Sequence, residues 1–472
     1  MANFLINSPS SESVGSNTSD LFDLQVLQGV SVFGVEGADT ITALNTLGAA
    51  SSTRLNAGKG ADTITLSAST MENSFILAGM GKDVLDVQKG LSSTVVRGGA
   101  GLDTMNFSGA LQSTTVNGND MADLISAEVA DASSAGFLAA GAGADVLSAS
   151  FISGANAFTV NGGLGHDSLS LSLDAADTGI LTNFDVAGGG GLDTIAFDAL
   201  AVGGLSGTFD INGGDQNDLI QFNGANLSAV GTATIGGGAG ADTIQFSANL
   251  DLAAGFVNAG AGADSISISA AFADGTINAG LGLDTITLVT SVVSGDYQAQ
   301  EILGDDGADK FNLGTTTMAI TGATLTAGAT LRYGSFDQSN LETTDFASAA
   351  FTFSGGAGSG NAGFFTIEQD VATATIANGI GVTNFSGTNG IAGFTSTFAG
   401  DLTARVTELD RVLTKGQTIS FGANTTEQYV FIQGGAAAGG TGDDLLIRAS
   451  EQVDGFVVVS DSAIRAVVSA TD

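Results

Sequence analysis

The chain has 472 residues, of which 49 are Asp or Glu and 12 are Lys or Arg, and the formal charge of −37 excludes a nucleic-acid backbone or an anionic membrane surface as its main partner. It has no cysteine, so disulfides, zinc–thiolate sites and thiol catalysis are excluded, and no apolar run is long enough for a helix to cross a bilayer. Seventy glycines beside one proline, with 43% hydrophobic residues, fit neither collagen nor a disordered linker; they call for many tight turns between short buried strands, and hence an all-β protein.

Residues 1–33 form an N-terminal segment with no positively charged start, the first base being Arg54, so export through a cleaved signal peptide is not expected. Residues 34–314 carry an internal repeat, visible in GGGAGADTIQF ending at Phe246, NAGAGADSISI at Ile268 and NAGLGLDTITL at Leu288. Its anchor is an aspartate. The thirteen copies place it at Asp39, Asp62, Asp83, Asp103, Asp123, Asp145, Asp167, Asp193, Asp218, Asp242, Asp264, Asp284 and Asp309, with 20 to 26 residues between neighbours. Such a period marks a parallel β-solenoid of about 13 coils of ~22 residues.

Each unit has two halves, a Gly-rich turn that ends at the Asp and a strand that begins there. In the strand Ile64 and Leu66, Ile244 and Phe246, and Ile286 and Leu288 share a core-facing side, while Thr63 and Thr65 or Thr285 and Thr287 take the other. A second strand precedes the turn in many units, as in Phe256-Val257-Asn258 and Thr276-Ile277-Asn278, and a looser bend of variable length closes the coil. For the asparagines at 56, 117, 161, 212, 258 and 278, just ahead of the turn, the expectation is an internal hydrogen-bonded stack at a solenoid corner rather than a metal role.

Residues 98–309 hold no Lys or Arg but 25 Asp or Glu. Stacking Asp turns about 4.8 Å apart would line up like charges inside one Debye length of roughly 8–10 Å, so a cation is expected between them. Ca²⁺ takes hard oxygen ligands in flexible geometry, and a Gly turn offers backbone carbonyls beside its carboxylate, whereas Mg²⁺ demands a stricter octahedron. The opposing reading is a metal-free stack in which Gly and Asp merely satisfy tight turns. Extra oxygen donors stand where the glycines thin out, namely Asn119 and Asp120, Asp215 and Asn217, and Asp305 and Asp306, as further ligands or as solvated turn residues.

Gly237-Gly238-Ala239-Gly240-Ala241-Asp242-Thr243-Ile244-Gln245 matches every fixed position of the nonapeptide GGxGxDxUx, and over residues 34–314 the chain resembles the calcium-binding β-roll proteins of the RTX family. The resemblance implies several Ca²⁺ ions held between successive Gly-Asp turns, with the thirteen aspartates as ligands. In that frame Gly fills the fourth position in eleven of thirteen copies, the exceptions being Met121 and Gln216. The family's roll packs two nonapeptides into each 18-residue coil. Here each coil carries one, so a single calcium ladder along one edge is expected.

Residues 315–399 keep alternation but lose the Asp anchor, and read as β structure that caps the rod or serves its assembly. Residues 400–472 form a small α+β module: a helix over DLTARVTELDRVL with Leu402, Val406, Leu409 and Leu413 on one face, then strands at 417–421, 428–433, 444–448 and 456–460. That order resembles the C-terminal module of large Gly-Asp-rich bacterial surface proteins exported by type I secretion; an ordinary capping domain is the other reading. Gly439-Gly440-Thr441-Gly442-Asp443-Asp444 fits the nonapeptide in isolation.

Chemistry is scarce. One His, no Cys and a solenoid without Lys or Arg from 98 to 309 leave no nucleophile and base pair, and His166 occupies a variable turn position, so no enzyme is expected. Outward Thr pairs at 40/42, 63/65 and 285/287 are broken by Val84 and Asp86, Leu124 and Ser126, and Thr194 and Ala196, which argues against a flat binding template. The expected function is that of an extracellular cell-surface structural protein, folded and stiffened by Ca²⁺, that self-assembles into a surface layer (S-layer) or filament, with a virion fibre or capsid-associated protein as the alternative. Its expected partners are copies of itself, and a cell-surface glycan or a virion component, with no nucleic acid and no membrane insertion.

Overall fold

In this computed structural model the chain divides into two units, Met1–Asp242 and Thr243–Asp472. In the first unit the structure describes residues 2–44, 50–67, 69–129, 135–151, 157–173, 183–198, 208–223, 227–228 and 233–242; in the second it describes 243–247, 250–251, 255–269, 275–288, 301–303, 306–307, 310–313, 323–325, 330–333, 351–353, 363–369, 375–377, 380–381, 385–388, 391–394, 405, 408–409, 411–414, 417–422, 428–432, 445–449, 453–460 and 463–468. Among the described residues no helix is long and apolar enough to cross a membrane.

The first unit is a parallel β-solenoid. One face is built from the strands that follow each aspartate, Leu21–Leu24, Thr40–Ala43, Thr63–Leu66, Val84–Val87, Thr104–Phe107, Leu124–Val129, Val146–Phe151, Ser168–Leu173, Thr194–Asp198 and Leu219–Asn223, each in parallel register with the next. The second face is built from the strands ahead of each turn, from Glu12–Val14 through Ser31–Phe33, Arg54–Lys59, Phe75–Met80 and Val95–Ala100 to Ala233–Ala239. Both faces turn alternate residues inward, so Ile64, Leu85, Met105, Ile125, Leu147, Leu169, Ile195 and Ile220 meet Leu55, Ile76, Val96, Val116, Leu138, Val160, Val186 and Ile211 in one fully buried column.

The solenoid begins before the repeat phrase does. Asn3–Ile6 pairs with Leu21–Leu24, which pairs with Thr40–Ala43, so residues 1–33 already contribute coils. The closing bend is also more ordered than expected in the shorter coils, where Ala50–Ser51, Met71–Glu72, Leu91–Ser92 and Leu111–Gln112 form a four-stranded third face. It seals the core with buried Met71, Leu91 and Leu111. Farther along, Phe151, Phe158, Phe184, Phe197, Phe209 and Phe222 fill the interior, with ring centroids 4.8–5.9 Å apart.

The expected internal asparagine stack is absent. Asn56, Asn117, Asn161 and Asn212 alternate with buried neighbours and therefore sit on the outer side of the second face, as do Asn258 and Asn278 in the second unit. The buried polar corner is made by hydroxyls instead: Thr53, Ser74, Thr94 and Thr114. The Thr53 N–H donates to Ser74 Oγ at 3.1 Å, and the Thr94 and Thr114 hydroxyls donate to Ser92 O and Gln112 O at 2.9 and 3.0 Å. Small hydroxyl residues fit because the preceding Ser52, Asn73, Ser93 and Ser113 bend the chain through a left-handed conformation.

In the second unit the pattern continues in parallel through Thr243–Phe246, Ser265–Ile268, Thr285–Leu288, Lys310–Leu313, Thr330–Tyr333 and Gly363–Gln369. Antiparallel structure then takes over: Gln417–Gly422 pairs with Gln428–Ile432, which pairs with Leu445–Ala449, and Val453–Ser460 pairs with Ala463–Val468. The expected helix is present at Arg405, Glu408, Leu409, Arg411 and Val412, and buried Leu409 and Leu413 pack against Ile419, Phe421, Tyr429 and Phe431. Ala463–Val468 was not anticipated. It returns antiparallel onto Gly363–Gln369 and ties the chain's end to the parallel strands.

Candidate metal ladder

The turn that carries each aspartate is fixed by close stacking. A side chain on Gly81 or Gly101 would collide with the carbonyl of Gly60 or Gly81 in the preceding coil, and both glycines lie at positive φ, 135° and 150°. Met121 and Gln216, which replace Gly at this position, take the same left-handed backbone, at φ 80° and 77°. Stacking therefore imposes the turn even on residues that resist it.

The structure describes twelve of the thirteen expected aspartates: Asp39, Asp62, Asp83, Asp103, Asp123, Asp145, Asp167, Asp193, Asp218 and Asp242 form a row in the first unit, joined to Asp20, and Asp264 and Asp284 are successive rungs in the second; all are 0–3% exposed. Asp309 lies outside the described residues, as do Asp305 and the Gly439–Asp444 motif. The side chains do not point out at solvent. Each Asp Oδ1 accepts the backbone N–H of the aspartate one coil earlier, from Asp20 N–H on Asp39 at 2.7 Å through Asp218 N–H on Asp242 at 2.8 Å, and again from Asp264 to Asp284 at 2.8 Å.

The second carboxylate oxygen is the informative one. In Asp39, Asp62, Asp83, Asp103, Asp123, Asp145, Asp167, Asp193 and Asp218, Oδ2 is buried and has no hydrogen-bond partner. An anion so placed is expensive. Burial first, then the charges of neighbouring rungs, raises the carboxyls of Asp62, Asp123 and Asp218 to about 7; for Asp83 and Asp167 the same causes give about 6. Asp39, Asp103, Asp145 and Asp193 move up as well, chiefly through burial.

Asp20 is the rung that sequence reasoning missed. Its turn, Gly15-Ser16-Asn17-Thr18-Ser19-Asp20, has no glycine at the second or fourth position. Here Oδ2 accepts the Ser16 N–H at 2.6 Å and the Ser16 hydroxyl at 2.9 Å, while Oδ1 accepts the Ala2 N–H at 2.7 Å. Those backbone bonds pull the Asp20 carboxyl below its ordinary range. The signal that could have found it is the 19-residue step to Asp39 followed by the alternating Leu21-Phe22-Asp23-Leu24.

The donors present suit a hard cation. A Cβ placed on Gly98 would lie 2.6 Å from Asp103 Oδ2 and 2.7 Å from the Gly118 carbonyl of the next coil, and Gly34, Gly118, Gly162, Gly188 and Gly213 face their own aspartate's Oδ2 and the next coil's carbonyl in the same way. Carboxylate and carbonyl oxygens converge on one point in each, with no nitrogen or sulfur donor. Among the described residues no three His, Asp or Glu side chains gather at one point, so an ion would rest on one or two carboxylates and on backbone carbonyls. Of the extra donors, Asn217 Oδ1 accepts the Ala241 N–H at 2.7 Å, Asn119 donates its own N–H to Asn117 Oδ1 at 2.8 Å, and Asp120 and Asp215 are exposed. His166 is exposed, yet its Nδ1 accepts the Leu192 N–H of the next coil at 2.8 Å.

No family model matches the chain, and no curated protein matches it. Among solved structures it is similar to a hyperactive, Ca²⁺-dependent, beta-helical antifreeze protein from an Antarctic bacterium, at 20% identity and a TM-score of 0.41 over 62% of this chain and 85% of that one. That likeness is too loose to carry an argument about this chain.

Proposed function

We propose that this chain is a calcium-binding, non-catalytic structural protein of the RTX type, an extracellular building block of a surface layer or filament. One observation carries the proposal: nine buried carboxylates stand in register, each with an oxygen that has no partner, in a chain of formal charge −37. Each needs a proton or a cation. The residues that would hold Ca²⁺ are, in the first unit, the rungs Asp39 to Asp242 with the carbonyls of adjoining turns and, in the second, Asp264 and Asp284. Bound calcium would supply the positive charge that residues 98–309 lack.

The chain's own residues do the rest. Oδ1 of each rung holds the coil before it, glycines permit the close turn, and the apolar column supplies burial. Without calcium, deprotonated rungs repel and favour an extended chain suited to passage through an export channel. Outside, calcium at 100 times a site's dissociation constant adds about 2.7 kcal/mol per site. No catalytic grouping is offered by one histidine engaged at a turn and no cysteine.

The test is equilibrium dialysis of the full chain against Ca²⁺ at pH 8, with Mg²⁺ as control and circular dichroism and light scattering in parallel. Several calcium ions per chain, a gain of β signal and growth of large particles, none of them produced by magnesium, support the proposal. Complete β structure in EGTA with no calcium uptake would overturn it.

A further inference from the structure

The outer side of the second face in the first unit is electrically two-ended. Register aligns Arg54, Phe75, Val95, Thr115, Phe137, Thr159, Asp185, Asp210 and Thr234 in a single file, one residue per coil, and carries the file past Arg54 through Ser31 to the exposed Glu12, which a two-fold axis near Thr115 sets opposite the uncharged Thr234. At one end the exposed Arg54 guanidinium lies over the rings of Phe33 and Phe75, 5.8 and 5.4 Å from their centroids, and Arg97 lies 5.9 Å from Phe75. At the other end Asp185 and Asp210 are exposed neighbours. Partial desolvation, and then the Asp185 charge, raises the Asp210 carboxyl. Among the described residues neither Arg54 nor the two aspartates belong to an ion pair. The part between is half-buried and apolar at Phe75, Val95 and Phe137.

We propose that this face docks on the same face of a second copy lying antiparallel to it, so that Arg54 of each copy meets the Asp185–Asp210 pair of the other across the apolar middle. The inference rests on the self-assembly part of the function proposed above and names its surface. Charge complementarity selects the occupant. Six coil steps of about 4.8 Å put Arg54 about 29 Å from Asp185, and a two-fold axis near Thr115 superimposes opposite charges at both ends, whereas a parallel copy would oppose like with like. Arginine stacked on phenylalanine is held in place before contact, which limits the ordering required on association.

The experiment uses the full chain in calcium, with sedimentation velocity across a concentration series, for Arg54→Glu, for the double variant Asp185→Lys/Asp210→Lys, and for an equimolar mixture of the two. The wild type is expected to self-associate more weakly as salt rises. Each variant alone is expected to weaken association at least tenfold, because every contact across the axis becomes like-charged. The mixture is expected to associate again, because each contact then pairs opposite charges; that recovery also shows that both variants are folded. Wild-type assembly retained in both variants would overturn this face while leaving self-assembly intact. A wild type that stays monomeric in calcium would overturn both, and calcium uptake by the variants, whose altered residues are not rungs, reports separately on the ladder.

Discussion

Asp20 and Asp123 occupy the same place in their coils and have opposite electrostatics. Both are buried, and both place Oδ1 on a backbone N–H, from Ala2 in one case and Asp103 in the other. They differ at the second turn position. Ser16 is not left-handed and aims its N–H and hydroxyl at Asp20 Oδ2, whereas Asn119, at φ 78°, leaves Asp123 Oδ2 without a partner. A turn with ordinary backbone neutralises its own aspartate, and a left-handed turn leaves the aspartate for something else to neutralise.

The largest effect expected from this difference is a pH dependence of the calcium-free chain. The carboxyls of Asp62, Asp123 and Asp218 rise from an unfolded value near 3.8 to about 7, so their contribution to stability is fully present below pH 3.8 and is lost as pH climbs through 7. In EGTA the melting temperature should therefore fall between pH 4 and 8, and calcium should restore it at pH 8. A melting temperature that rises over this range would place partners on the rungs and break the comparison.

Next in size are two matched substitutions. Asp123→Asn keeps the acceptor for the Asp103 N–H and removes a buried charge, so in EGTA at pH 8 it should raise the melting temperature, while its increment on adding calcium should be smaller than the wild type's. Asp20→Asn gives up charge-assisted bonds to Ser16 and Ala2 and should lower the melting temperature with or without calcium. Thermal melts of the two variants settle the sign. Thr94→Val should cost about 1–3 kcal/mol, read by denaturant titration, because it strips a buried hydroxyl from the inner corner. His166→Ala, which removes a surface acceptor from Leu192 N–H, should cost about 0.5 kcal/mol by the same measurement.

The register of the aspartates was legible because a coil must return to the same turn, and the Gly-Asp phrase marks the returns from Asp39 to Asp284. Asp20 was hidden because its turn satisfies itself and so needs no glycine phrase. The asparagine files were misplaced although parity contained the answer: Asn56 stands between inward Leu55 and Ala57 and must face out. The Thr53, Ser74, Thr94 and Thr114 corner was not legible, since alternation stops where the chain turns left-handed. Nor does any sequence pattern show that Oδ1 is spent on the preceding coil while Oδ2 is left over.

The most direct test is proton release on calcium addition to the weakly buffered full chain at pH 6.5, with calcium uptake measured in parallel. If protons occupy the rungs when calcium is absent, each uptake step should release them, and the release should shrink toward pH 9. Calcium uptake without proton release, or no uptake at all, would contradict the claim that the buried carboxylates await a positive charge.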